Sequence, residues 1–285
     1  MPELPEVETM RRGIAVTVGS RILDCGPVPC KRRPIAISPR PATFRKRAVG
    51  AEITAVERLG KRVVLRLDRG DAVVIEPRMT GLVLVADPPT QEHLRFRIAL
   101  ASRSVPEIWF WDRRGLGTVR LYSPAEFEAA LGPAKLGPDA LVLTAEVLRS
   151  RLESSRREIK VALLDQRAVC GVGNLYASEI LHRAQVHPQR RCDQVKPRQW
   201  QAIHRAMREV LQAAIQYEGS TLGDGTYRNA LNEAGGYQHH HRVYARAGEA
   251  CRSCSRGEIV RIVQAQRSTF FCPRCQKQGR SKVAF

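Results

Sequence analysis

LRFRIAL, residues 94–100, alternates apolar and basic side chains with a period of two. Leu94, Phe96, Ile98 and Leu100 share one face, and Arg95 and Arg97 share the other, as in a strand with one side in a core. KRVVLRL (61–67), DAVVIEP (71–77), EIWFW (107–111) and TVRL (118–121) are further short β-prone runs, and DRG (68–70) is a turn signal between the first two. Several short strands punctuated in this way predict an antiparallel sandwich or barrel over about residues 50–122, not a parallel sheet.

The character changes at GPAKLGPDA, residues 132–140, where two glycines and two prolines mark a linker. Beyond it the patterns are helical. In KPRQWQAIHRAMREVLQAAIQYEG (196–219), Trp200, Ile203, Met207, Val210, Leu211 and Ala214 form one apolar stripe, with Pro197 suited to the first turn and Gly219 to the end. REIKVALLDQ (157–166) and NLYASEILHRA (174–184) are two more helical segments, joined by RAVCGVG (167–173). Gly, Asn and His dominate from Gly223 to about Tyr244, which predicts a long mobile loop. At the other end, MPELPEVETM (1–10) reads as a helix start at Pro5, with Glu6 and Glu8 favouring the positive end of the dipole. Pro2 and Glu3 precede that helix and are not explained by it. The expected organisation is α+β: a β-sandwich unit at 1–132, a linker at 133–144, a helical unit at 145–248, and a cysteine module with a basic tail at 249–285.

The chain has 285 residues, 47 Lys and Arg against 28 Asp and Glu, and a net charge of +19. That excess points to a polyanionic partner, nucleic acid first and a membrane surface second. No apolar run approaches the roughly 20 residues of a membrane span, and the acidic start lacks a signal peptide's layout, so a soluble cytoplasmic protein is expected.

Four of the eight cysteines fall in CRSC (251–254) and CPRC (272–275). The spacing C-x2-C-x17-C-x2-C makes two knuckles around a hairpin, and four thiolates suit one tetrahedral Zn²⁺. Cys251, Cys254, Cys272 and Cys275 are the expected ligands of a closed, structural site. The hairpin carries Arg261 and Arg267 towards its tip, where they can meet phosphates. Cys25, Cys30, Cys170 and Cys192 are expected as free thiols. The turn Gly171-Val172-Gly173-Asn174 is either an ordinary helix–helix turn or a phosphate-binding one.

Taken together, MPELPEVETMRRGI, IKVALLDQRAVCGVGNLYASEIL and CRSC…AQRSTFFCPRC resemble the bacterial formamidopyrimidine-DNA glycosylases (Fpg, or MutM), over nearly the whole chain. The resemblance implies a β-sandwich, a helix–two-turn–helix segment and a zinc β-hairpin. It also implies double-stranded DNA with oxidised bases or abasic sites as partner, one structural Zn²⁺, no nucleotide cofactor, and a monomer. Met1 is removed in the family, and the secondary amine so exposed, here that of Pro2, is the nucleophile. Its iminium cannot lose a proton to become a neutral imine, so the charge persists as an electron sink for elimination. Glu3 matches the acid that protonates the sugar ring oxygen. Glu6 matches a further site glutamate. Lys61 matches a lysine serving catalysis and phosphate binding, Lys160 and Asn174 match phosphate contacts, and Arg267 matches the arginine of the zinc hairpin. A flipped base leaves a hole in the duplex, which the family fills with a Met, an Arg and a Phe; Met79 matches the first.

Two departures stand out. The family usually reads DPRRFG where this chain has DRRGLG (112–117). Without gaps, the inserted Arg becomes Gly115 and the Phe becomes Leu116. With a shift of one residue, Arg114 still reaches the orphaned base and Leu116 is a smaller wedge; that alignment is preferred. Glu76 stands where the family usually has a histidine near phosphate, and Arg78 either pairs with it or takes over the contact. The expected activity is removal of oxidised purines with β,δ-elimination at the abasic site. The rivals are an endonuclease VIII-like enzyme for oxidised pyrimidines and a zinc-dependent protein that binds damaged DNA without cutting it.

Overall fold

The computed structural model describes residues 2–278. The chain forms two compact units. The first runs through Lys135 and takes in Ala214–Gln238; the second comprises Leu136–Ala213 and the chain from His239. The expected boundaries were contiguous along the chain, whereas the first unit gathers a segment from nearly 80 residues further on.

The first unit opens with α1 (Leu4–Gly13), capped by Glu3. The helix begins one residue earlier than Pro5 alone suggests, and the Glu6 side chain closes a capping box on the Glu3 backbone N–H at 2.9 Å. After it come β1 (Ile22–Pro27), β2 (Ala36–Ser38), α2 (Pro41–Ala48), β3 (Ile53–Leu59), β4 (Arg62–Leu67), β5 (Ala72–Glu76) and β6 (Gly81–Leu84). The unit continues with β7 (Leu94–Leu100), β8 (Glu107–Asp112), β9 (Thr118–Tyr122) and α3 (Pro124–Leu131). One sheet has the order β1-β7-β8-β6 and the other β2-β9-β5-β4-β3. Their pairings are antiparallel except β2 beside β9, which is parallel. Both sheets feed one core, with Phe96, Ile98 and Phe110 from the first and Val63, Leu65 and Val73 from the second. Fully burying such side chains stabilises by about 1.5–3 kcal/mol each, which explains why the alternation in β7 sets its register.

The glycine- and asparagine-rich stretch is not loose where it belongs to the first unit. Tyr227 and Ala230 lie in the sandwich core, and the Val85 N–H donates to the Ala230 carbonyl at 3.0 Å. Asn229 organises the turn that follows, its Oδ1 accepting from the backbone N–H groups of Leu231 and Glu233.

The second unit holds α4 (Ala145–Leu152), α5 (Ile159–Leu163), α6 (Asn174–Arg183) and most of α7 (Pro197–Gln216). It closes with the hairpin β10 (Val260–Gln264) and β11 (Arg267–Phe271). The apolar stripe read for α7 is buried throughout, from Trp200 to Ala214. Between α5 and α6, Gly171 takes φ +105, a conformation open to glycine and costly to other residues. Gln166 fixes this turn, accepting from the Gly171 N–H at 2.9 Å and donating to the Val172 carbonyl at 2.9 Å. Among the described residues, no helix is long and apolar enough to cross a membrane.

Candidate functional site

In the first unit, Pro2, Glu3 and Glu6 are buried, with only 3 % of each glutamate exposed. Glu6 uses its carboxylate at two places. Oε2 accepts from the Glu3 N–H, and Oε1 accepts from the Ser220 N–H at 2.9 Å. Glu6 therefore fixes the backbone beside Pro2 and ties it to the segment after α7.

Lys61 sits at the tip of the β3–β4 hairpin, where Gly60 takes the positive φ (+58) that a two-residue turn requires. Glu8 and Arg58 fix that tip, and the sequence reading missed both. Arg58 Nε donates to Glu8 Oε2 at 3.1 Å, and its Nη1 donates to the Gly60 carbonyl at 3.0 Å. The hairpin tip is thus fastened to the helix that starts at Glu3. Burial works to raise the Glu8 pKa, but hydrogen bonds from Arg11 and Arg12 and the charges of Arg11 and Arg58 outweigh it and hold the carboxyl below its ordinary range.

Met79, 37 % exposed, projects from the turn between β5 and β6. Arg114 is exposed and Leu116 half-buried on the turn between β8 and β9. One carboxylate joins the two turns. Asp112 Oδ1 accepts from Thr80 Oγ1 at 2.5 Å and from the Arg114 N–H at 3.2 Å, and Oδ2 accepts from the Gly117 N–H at 2.8 Å. Gly115 takes φ +62, and a Cβ there would come within 2.6 Å of the Arg33 carbonyl oxygen. The glycine is a backbone requirement, and a long side chain cannot occupy that position without moving the 30–33 segment. Glu76 lies between two guanidinium groups, Arg62 at 3.3 Å and Arg78 at 3.1 Å. Arg78 therefore pairs with Glu76, and it does so from a strained backbone, φ +56.

In the second unit, Lys160 has no exposed surface. Its Nζ donates to Asn174 Oδ1 at 2.6 Å, Thr269 Oγ1 at 2.7 Å and the Ser268 carbonyl at 3.2 Å. Asn174 Nδ2 also donates to the Ser268 carbonyl, at 3.0 Å. Lys160, the first residue of α6 and the start of β11 thus form one network, and Arg267 stands exposed directly before it. Residues 265 and 266 form the hairpin tip with φ +45 and +60, and neither is glycine. A left-handed conformation costs such residues about 1–2 kcal/mol each, so the tip holds its shape against a local preference.

The four cysteines meet as the spacing predicts. Their Sγ atoms all lie within 4.8 Å of one another, with Cys251–Cys275 and Cys254–Cys272 each at 3.8 Å. A tetrahedron with metal–sulfur bonds of about 2.3 Å has edges of about 3.8 Å, so the donor set fits Zn²⁺. Backbone N–H groups of Arg256 and Gly257 act against desolvation and hold the Cys254 thiol down to about 6, which favours the ligating thiolate. Glu179 fixes the chain that leads into this module. It is fully buried, and its carboxylate accepts from the N–H groups of Arg242, Val243 and Tyr244 at 2.8–3.2 Å.

This architecture is that of a zinc-finger protein with a helix–two-turn–helix (H2TH) segment. Residues 1–119 match the formamidopyrimidine-DNA glycosylase N-terminal domain, 136–225 its H2TH domain, and 248–278 the zinc finger found in FPG and IleRS. The chain belongs to the formamidopyrimidine-DNA glycosylase family. It is 39 % identical over 279 residues to the formamidopyrimidine-DNA glycosylase of Chloroflexus aurantiacus, covering 97 % of this chain and 98 % of that one. The MutM (Fpg) protein of Thermus thermophilus superposes with a TM-score of 0.84 at 34 % identity, over 98 % of this chain and all of that one. Lactococcus lactis Fpg in complex with abasic-site DNA gives 0.85 at 30 % identity, over 97 % of this chain and all of that one. The four cysteines are the ligands of one structural zinc ion. Removal of Met1 and the last part of the basic tail lie outside the described residues.

Proposed function

We propose that the chain is a bifunctional DNA glycosylase and abasic-site lyase that excises oxidised purines, 8-oxoguanine and formamidopyrimidines among them. The single observation carrying this reading is the pairing of Pro2 with a buried, backbone-fixed Glu3 at the start of α1, in a chain of this family. With Met1 removed, the Pro2 amine attacks C1′ of the damaged nucleoside as Glu3 protonates the ring oxygen, and the base departs. The iminium draws electrons from C2′, whose proton is lost as the 3′ phosphate leaves; δ-elimination then releases the 5′ phosphate. Lys61 on its fastened hairpin tip and Arg267 neutralise phosphate charge, and Asn174 offers a neutral hydrogen-bond contact to phosphate.

The target base leaves the stack at a cost of a few kcal/mol. Met79, Arg114 and Leu116 fill the space it vacates, Arg114 meeting the orphaned partner base. Lys160, buried and occupied, orients Asn174 and the arginine hairpin and does not itself touch phosphate. A zinc ion held by four thiolates has no open position, so it holds the hairpin and takes no part in the chemistry. The protein acts as a monomer on double-stranded DNA in the cytoplasm, and the charge of +19 supports the nucleic-acid partner in that reading.

Borohydride trapping on two duplexes tests this, one with 8-oxoguanine opposite cytosine and one with an abasic site. A covalent adduct with both is expected from protein shown by mass to lack Met1. Pro2→Gly replaces the secondary amine by a primary one, whose iminium can lose its proton, and should weaken trapping and excision far more than DNA affinity, which should stay within about threefold. Adduct with the abasic duplex alone keeps the lyase and overturns the purine preference. No adduct with either leaves a damage-binding protein.

A further inference from the structure

Arg95 breaks the alternation of its strand. It lies on the face expected to meet water, yet only 3 % of it is exposed. Its Nε donates to the Asp112 carbonyl at 2.8 Å, and its Nη1 donates to Cys30 Sγ at 2.8 Å. Its Nη2 is buried and has no hydrogen-bond partner among the described residues. A buried cationic donor without an acceptor is unfavourable, and an acceptor on the neighbouring atom would satisfy it. That neighbour is the sulfur of Cys30, which is partly exposed between the exposed residues Pro29 and Lys31. The thiol donates to the Glu92 carbonyl at 2.9 Å and already accepts from Nη1 of the same guanidinium. An oxygen carried by that sulfur would supply the missing acceptor.

We propose that Cys30 is a modification site for peroxides, whose oxidised sulfur gives an oxygen to Arg95 Nη2 and so acts on the 112–117 turn. A sulfur lone pair attacks one peroxide oxygen. The S–O bond forms as the O–O bond breaks, and the thiol proton leaves with the departing hydroxide as water. Sulfur is oxidised, peroxide is reduced, and Cys30 becomes a sulfenic acid. A second peroxide adds a second oxygen in the same way and is again reduced to water. The resulting sulfinic acid loses its proton to solvent, leaving an anion beside the guanidinium.

Two connections carry this change to the turn that holds Arg114 and Leu116. Arg95 holds the Asp112 carbonyl, and the Asp112 carboxylate holds the Thr80 hydroxyl and the Arg114 and Gly117 amides. The 30–33 segment also packs directly on Gly115, through the Arg33 carbonyl. An arginine drawn towards a new anion loosens its grip on Asp112, and the probing turn loses its fixed shape. The consequence for DNA rests on the glycosylase reading above, whereas the chemistry at sulfur does not.

Zinc-loaded protein is treated with graded hydrogen peroxide beside Cys30→Ser. Peptide mass spectrometry should find one and then two added oxygen atoms on Cys30, ahead of the buried Cys25, Cys170 and Cys192. Amide exchange at Arg114 and Gly117 should rise in the oxidised protein, a readout that needs no activity. Excision of 8-oxoguanine should fall about tenfold or more in the parent, as for a misplaced positioning group, and stay within about twofold in Cys30→Ser. A Cys30 that stays unmodified while the buried thiols react would overturn the site. Unchanged exchange at both amides in protein carrying oxidised Cys30 would overturn the coupling. Equal loss of activity in both proteins would assign the damage to the zinc thiols and overturn the proposal as well. Parent protein inactive before treatment would instead count against the glycosylase reading, with the mass and exchange results still deciding the site.

Discussion

Replacing Lys160 by Met separates two roles that look alike in the sequence. A phosphate-binding lysine is exposed at a groove, and its loss weakens binding by removing one ion contact. Lys160 is instead wholly buried, and its Nζ donates to Asn174 Oδ1, Thr269 Oγ1 and the Ser268 carbonyl. Met matches the stem and removes the charge, leaving those three acceptors facing a methyl group. Leaving buried acceptors unsatisfied costs about 1–3 kcal/mol each, and no longer burying the ammonium offsets part of that, so a net loss of about 1–3 kcal/mol is expected. Urea unfolding of zinc-loaded protein, followed by circular dichroism, should show a loss of this size. DNA affinity measured across a salt series supplies the second half of the test. A direct phosphate contact contributes about 0.9 to the slope of log K against log salt. The buried role predicts weaker binding, because Asn174 and the hairpin before Ser268 lose their anchor, with the slope unchanged. Full stability together with a slope smaller by about one would refute the reasoning.

Gly115→Ala should destabilise the first unit by about 1–3 kcal/mol, because its φ of +62 and the Arg33 carbonyl both oppose a Cβ; a neutral result in thermal unfolding would count against the turn as described. Glu76→Gln removes the negative charge between Arg62 and Arg78. With those arginines facing phosphate, duplex affinity at low salt should rise about two- to fivefold, as for a partly exposed ion pair, and an unchanged affinity would place the pair away from DNA. Glu8 has a folded pKa below its unfolded value, so its stabilisation is present above about pH 4.5 and is lost as pH falls through the folded pKa. Glu8→Gln should flatten that acid limb of the stability profile and slow excision by freeing the Lys61 hairpin; an unchanged acid limb would show that Glu8 does not set it.

Much of this protein is written locally. The period-two run at 94–100, the apolar stripe of α7 and the paired cysteine knuckles each follow from nearest-neighbour chemistry, and the structure keeps all three, save that Arg95 is buried on the face expected to meet water. The zinc set was legible because four soft ligands at fixed spacing have few other uses. The start of α1 was legible from its proline and glutamates. Long-range partners were not. Arg95 reads as a solvated strand residue until the Asp112 carbonyl and Cys30 stand beside it. Lys160 reads as a surface cation until Asn174 and Thr269 close around it. Glu76 reads as a carboxylate that Arg78 can pair with, but the Arg62 guanidinium on its other side is not legible in the sequence. Residues 214–238 read as part of a helical region with a loose loop, and only packing assigns them to the sandwich unit. A side chain's type and period fix which face it prefers, and so the sequence by itself determined the elements, the metal ligands and the family. The burial of a charge depends on partners brought from distant parts of the chain, so tertiary structure alone decided which cations face water and which hold the protein together.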